Sequence, residues 1–203
     1  MAIIGGKKEN HSQIPPEKFQ NNDLRFGTII TYDGGKYPYK NFVSWGDDGI
    51  RYPIEDCKIR ILCSGIYRKF YNGKKFEYDA YTPNTPIHQE CYRSVIIIHN
   101  EITNALVPMV CDFDSTMINI VNFWEDQNCD EKGTYIRFKL KEYDAGGKGK
   151  TKLYPSEISK EIFHVDPSRI DPQTEIEIKA CLKWLKKNIS DMQIESESEQ
   201  VPY

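Results

Sequence analysis

Residues 58–81 constrain the fold more than any other part of the chain. The segment opens in alternation, with Ile59, Ile61 and Cys63 on one face and Lys58, Arg60 and Leu62 on the other. A half-buried strand requires this period of two, because successive side chains leave opposite faces of a pleated backbone. Gly65 marks the place where a bulge or bend is expected. Asn72-Gly73 then supplies residues that tolerate positive φ, the strongest short-range hairpin signal. Residues 74–81 return with Phe76 and Tyr78 on one face and Lys75, Glu77 and Asp79 on the other.

The same reading extends along the chain. Residues 24–32 and 41–45 are rich in β-branched and aromatic side chains and end in Gly- and Asp-containing turns, so both are expected strands. Residues 92–99 read as a central strand and 104–111 as its return. Pro108 predicts an edge position or a bulge for that return, since it offers no N–H to a ladder. Residues 112–126 change period. Met117, Ile120, Val121 and Trp124 recur at i, i+3, i+4 and i+7, and Asp112, Asp114 and Ser115 are candidate N-caps of the resulting helix. Residues 134–143 alternate again, with Tyr135, Arg137, Lys139 and Lys141 against Ile136, Phe138 and Leu140. A Gly- and Lys-rich turn at 145–150 leads to a returning strand at 151–158. Asp171-Pro172 offers an N-cap with proline at the first helical position, and Ile178, Cys181, Leu182, Leu185 and Ile189 form the apolar stripe of a last helix.

The predicted organisation is therefore a flexible arm at 1–22, one β domain at 23–158, a linker and helix at 159–189, and an acidic disordered tail at 190–203. Hairpin-joined strands with one helix inserted late suit a mainly β fold. The expected form is an OB-fold-like antiparallel Greek-key barrel with one inserted helix plugging an end and a C-terminal helical extension. A β-sandwich with a packed helix satisfies the same order of elements.

Composition narrows the function classes. The net charge of −3 conceals an asymmetry. Residues 190–203 carry Asp191, Glu195, Glu197 and Glu199 without a lysine or arginine, which leaves a near-neutral body with local basic clusters. The first ten residues hold two lysines and no apolar h-region, and no apolar run exceeds the four residues of 95–98, too short for a membrane span. The expectation is a cytoplasmic chain with no membrane partner and with reduced thiols. The six cysteines form no C-x-x-C pair. His88 and Cys91 could open a metal site, but no second pair completes it. Residues 146–150 are glycine-rich and basic, yet they lack P-loop spacing and precede a strand where a P-loop needs a helix. No catalytic residue, metal ligand or cofactor is assigned, and the expectation is a non-catalytic protein.

A different chemistry is better represented. Tyr67, Arg68, Lys69, Tyr71, Lys74, Lys75 and Tyr78 crowd one hairpin. Tyr135, Arg137, Lys139 and Lys141 share one strand face, and Lys148 and Lys150 follow in the next turn. Because Ile136, Phe138 and Leu140 already supply a buried side, Tyr135 is expected to face outward among the cations. Unpaired nucleic acid calls for such a mixture, since cations follow phosphates and flat rings stack on bases at about 1–3 kcal/mol each.

Residues 58–158 resemble the OB-fold single-stranded-DNA-binding proteins of bacteriophages in the order hairpin, helix, basic strand, Gly-rich turn and strand. The stretch Glu195, Glu197, Glu199, Val201, Pro202 and Tyr203 resembles the C-terminal tip of bacterial single-stranded-DNA-binding proteins, with tyrosine where that family ends in phenylalanine. The resemblance implies a single-stranded-DNA-binding protein of replication or recombination, working in the host cytoplasm if phage-encoded. It also implies a tail that docks replication or repair proteins. The sequence accommodates an oligomer. The alternative is a phage structural or host-factor-interaction protein that binds no nucleic acid.

Overall fold

The computed structural model describes residues 24–30, 41–45, 51–144, 151–166, 168 and 170–188. These residues are mainly β, with a mixed sheet curled into a half-barrel and two α-helices. The strands are β1 (Phe26–Ile30), β2 (Asn41–Trp45), β3 (Arg51–Pro53), β4 (Cys57–Tyr71), β5 (Phe76–Ala80), β6 (Glu90–Asn100), β7 (Ala105–Asp114), β8 (Thr134–Asp144) and β9 (Thr151–Ile162). The helices are α1 (Ile118–Asp126) and α2 (Pro172–Asn188). The sheet runs β3-β2-β1-β7-β6-β4-β8-β9, with β5 added to β4. The predicted arm at 1–22, the turn at 145–150 and the tail at 190–203 lie outside the described residues.

Most expected elements are present, with shifted ends. The short strand β3 had no sequence signal, and β9 runs past the expected domain end at 158 to Ile162. The sheet is mainly antiparallel, as expected, with one exception. β1 lies parallel to β7, with Phe26 opposite Val110. A parallel neighbour needs a long crossover, and the elements between β1 and β7 provide it.

Pro108 sits in β7 opposite Ile97 without a register shift. It is tolerated because β1 pairs with β7 only at Val110 and Cys111, so the β1 side of the ladder demands no N–H at Pro108. Asp112 and Asp114 end β7 and do not cap α1, whose N-cap is Met117 without a side-chain cap bond. At the other helix the expected cap forms, with the Gln173 N–H donating to Asp171 Oδ1 at 3.0 Å.

One core lies inside the curl. Ile59, Ile61, Ile96, Ile98, Met109 and Phe138 pack there with Ile120, Val121 and Trp124 of α1. Phe42 from one wing meets Phe138 from the other with ring centroids 6.0 Å apart, so the two wings close around this core. Each fully buried side chain of this kind contributes about 1.5–3 kcal/mol. A second, smaller cluster covers part of the outer face, where Val95 and Val110 pack against Cys181 and Leu185 of α2.

The bulge expected at Gly65 lies at Leu62 instead. Ile61 faces Ile96, and Cys63 faces Val95, so β4 spends two residues where β6 spends one. That extra residue exchanges the faces of everything downstream on the strand. Ile59 and Ile61 point into the inner core, whereas Cys63, Tyr67, Lys69 and Tyr71 are carried to the outer face.

Candidate functional site

β4 is long enough to hold β8 at Ile59 and β5 at Tyr67 to Tyr71, both on the edge opposite β6. The β4–β5 hairpin therefore stands clear of β8. Its turn closes with the Asn72 N–H donating to the Lys75 carbonyl at 3.1 Å, while Asn72 Oδ1 accepts from the Lys74 and Lys75 N–H groups. Gly73 occupies φ +95°, a left-handed value that a β-carbon disfavours. Directly opposed residues share a face. Tyr67, Lys69 and Tyr71 of β4 therefore lie beside Ala80, Tyr78 and Phe76 of β5. Cys91 and Arg93 of β6, and Asp114 and Asp112 of β7, continue this face across the sheet.

The result is a strip of rings and cations on the outer face. At its α2 end, Trp184 packs edge-on against Phe26 at 5.0 Å. The Arg93 guanidinium comes next, 5.1 Å from the Trp184 ring, 5.0 Å from Tyr67 and 4.9 Å from Tyr78. Lys69 lies 5.7 Å from Tyr78 and 5.3 Å from Phe76, and Phe76 meets Tyr71 at 5.4 Å. Cation–ring contacts contribute about 0.5–2 kcal/mol each, so the strip is a pre-ordered surface. Its far end is open. Tyr71 is 59% exposed, Phe76 58% and Tyr78 47%, and Lys74 and Lys75 flank them at the hairpin tip.

A single carboxylate organises the cations. Arg93 Nε donates to Asp112 Oδ1 at 2.8 Å, and Lys69 Nζ lies 3.4 Å from Asp112 Oδ2. Burial alone would raise the Asp112 carboxyl, but the hydrogen bond and charge of Arg93, then the charge of Lys69, hold it below its ordinary value. Burial likewise opposes the charge on Lys69, and Asp112 outweighs it. Asp112 also lines two clefts. One, of about 230 Å³, is lined by Phe26, Tyr78, Arg93 and Val110, and the other, of about 280 Å³, by Lys69, His88, Asp114 and Met117.

No protein-family model, curated protein or solved structure matches this chain.

The expected site residues divide between two environments. Lys69, Tyr71, Lys74, Lys75 and Tyr78 gather at the open hairpin. Tyr67 shares their face but is buried, and its hydroxyl oxygen accepts from the Cys91 thiol at 3.3 Å. Arg68 points to the opposite face, where both its Nε and Nη2 donate to Asp79. The residues of the β8 set do not join the strip. Tyr135 is 0% exposed, which corrects the outward placement expected for it. The chain after β9 folds back over it. The Phe163 N–H donates to the Gly133 carbonyl at 2.7 Å, and the Phe163 ring packs edge-on to Tyr135 at 5.6 Å and stacks on His99 at 4.1 Å.

The cations beside Tyr135 are partnered. Arg137 lies 2.6 Å from Glu101 and 3.2 Å from Glu161, and Lys58 joins the same two carboxylates. Lys139 lies 2.6 Å and Lys141 4.0 Å from Glu157. Lys148, Lys150 and the tail residues Glu195, Glu197, Glu199, Val201, Pro202 and Tyr203 lie outside the described residues.

Three contributors to the strip had no sequence signal, namely Arg93, Asp112 and Trp184. Asp112 reads as a helix cap until its strand is known to continue to Asp114, and Trp184 lies on the flank of an apolar helical stripe. Cys91 is buried and its thiol is pushed up to about 12, first by desolvation and then by Asp112, so it is a weak thiolate source. Among the described residues, no group of three or more His, Cys, Asp or Glu could hold a metal ion. Among them too, no helix is long and apolar enough to cross a membrane.

Proposed function

We propose that this protein binds single-stranded DNA without catalysis, through the outer face of the β4–β5 hairpin, and acts in replication or recombination. The observation that carries this reading is the row Tyr71, Phe76 and Tyr78, all exposed on one face beside Lys69, with Lys74 and Lys75 exposed at the adjoining hairpin tip. Rings offer stacking to unpaired bases of any sequence, and lysines at the rim offer partners to phosphates. Alternate residues on a strand stand nearly 7 Å apart, which suits bases spread along an extended strand better than bases stacked in a duplex. The curled sheet, with α1 between β7 and β8, fits a variant of the OB-fold-like Greek-key barrel. In this reading the acidic tail ending in Val201, Pro202 and Tyr203 recruits replication or repair proteins.

Fluorescence anisotropy with labelled oligo-dT, at rising salt, tests the proposal. Binding at low salt that weakens as salt rises, and that Tyr71→Ala and Phe76→Ala each reduce, is the expected result. Absence of binding at low salt, also after removal of residues 190–203, would overturn it. A second reading draws on Ile87, Ile102 and Ile162, large apolar side chains left exposed on the surface. These suit a structural or host-factor-interaction protein, and a defined assembly in size-exclusion chromatography without nucleic acid would favour that role.

A further inference from the structure

We infer that Asp112 sets the selectivity of the strip, making it a surface for bases that disfavours a continuous phosphate backbone and so prefers single strands to duplex. The inference rests on the proposed nucleic-acid reading and deepens it. Three facts on the outer face support it. Asp112 bonds to both cations that lie among the rings, with Arg93 at 2.8 Å and Lys69 at 3.4 Å. Two positive charges on one carboxylate leave a single net charge at the centre of the strip. Asp112 also lines both clefts, so a ligand in either one meets its carboxylate. Finally, Lys74 and Lys75 are exposed in the turn at the hairpin tip, beyond the reach of Asp112, and Lys75 pairs only loosely with exposed Glu77 at 3.9 Å.

These facts assign different duties to the two ends. A duplex presents phosphates to a flat surface and holds its bases inside, so it meets the carboxylate and gains nothing from the rings. A single strand can turn its bases to Tyr71, Phe76 and Tyr78 and leave its phosphates at the lysine rim. Bound phosphates release counterions only where a cation is available to replace them. Lys69 and Arg93, already neutralised in part by Asp112, contribute to ordering the rings more than to the salt dependence. Asp112 is thus a positioning and selectivity residue.

The experiment measures oligo-dT and a duplex of equal length against the wild-type protein and Asp112→Asn, each across a salt series. The amide keeps an oxygen for Arg93 while removing the charge. For Asp112→Asn, the inference expects a salt slope for oligo-dT steeper by about 0.7. It also expects duplex affinity to rise about 3- to 10-fold, more than oligo-dT affinity, on the counterion argument. The same substitution at Asp126, an exposed carboxylate at the end of α1, is the control for a change in overall charge and should alter the duplex preference less than about twofold, as a screened surface charge does.

Should Asp112→Asn fail to fold, Lys74→Gln/Lys75→Gln carries the test. It should remove most of the wild-type slope, near 1.4 for two cations on a single strand. The inference is overturned if Asp112→Asn leaves slope and duplex preference unchanged, or if the tip variant keeps the full slope. In those outcomes wild-type binding to oligo-dT, with its dependence on Tyr71 and Phe76, still upholds the underlying reading. Absence of wild-type binding removes both.

Discussion

The outer face of the β4–β5 hairpin and the outer face of β8 are written in the same alphabet and end in opposite states. Both alternate tyrosine with lysine and arginine. On the hairpin the rings remain open and two lysines flank them. On β8, Phe163 closes over Tyr135, and Glu101, Glu157 and Glu161 take up the cations. Alternation along a strand determines which side chains share a face. Whether that face is bare depends on what distant segments lay across it.

Breaking the cover should have the largest effect. Tyr135→Ala removes a fully buried ring packed against His99 and Phe163 and should cost about 3–5 kcal/mol of stability in urea unfolding, in the range of large-to-small core changes. Tyr71→Ala on the open face should stay within about 0.5 kcal/mol in the same assay. A comparable loss for both would erase the distinction between the two faces.

The reverse ordering is expected for binding. Tyr71→Ala or Phe76→Ala should weaken oligo-dT by about 1–3 kcal/mol in anisotropy titrations, the contribution of one stacked base. Arg137→Gln on β8 should change affinity little, and a loss equal to that of the hairpin rings would move the site to β8.

Acid provides a third comparison. Burial pushes the Glu101 carboxyl up, but the hydrogen bond and charge of Lys58, followed by Arg137, outweigh it and hold it below 4.5. A depressed folded value means that the stabilisation is complete above pH 4.5 and is lost as pH falls through the folded value. Unfolding free energy should therefore fall more steeply with acid below that pH in the wild type than in Glu101→Gln, and parallel curves would show that the cluster contributes nothing.

The smallest effect is expected at Glu157. It sits at φ +50° in the β9 bulge opposite β8, a left-handed conformation that glycine adopts without strain. Glu157→Gly should raise stability by about 0.5–1 kcal/mol in urea unfolding, because the relief of strain exceeds the loss of exposed ion pairs. It also frees Lys139 and Lys141, so a small gain in oligo-dT affinity at low salt would show that the β8 face can be recruited.

Much of this architecture was legible in the sequence. The hairpin at Asn72-Gly73, the α1 stripe of Met117, Ile120, Val121 and Trp124, and the Asp171 cap all follow from local chemistry. What escaped were arrangements fixed between distant segments. β3 is too short to show a period, the β1–β7 pair is made across a long crossover, and Phe163 looked like part of a linker. The strip was half visible, since its rings lie within one hairpin while Arg93, Asp112 and Trp184 arrive from three other elements.

The irregularity at Leu62 works as a parity switch. One added position upstream decides which side of the sheet the residues from Cys63 to Tyr71 occupy. A single-codon deletion there would leave every ring and lysine in the chain while turning the strip towards the hydrophobic interior. In a lineage carrying this fold, an indel at that point would create or abolish the binding surface without altering any residue within it.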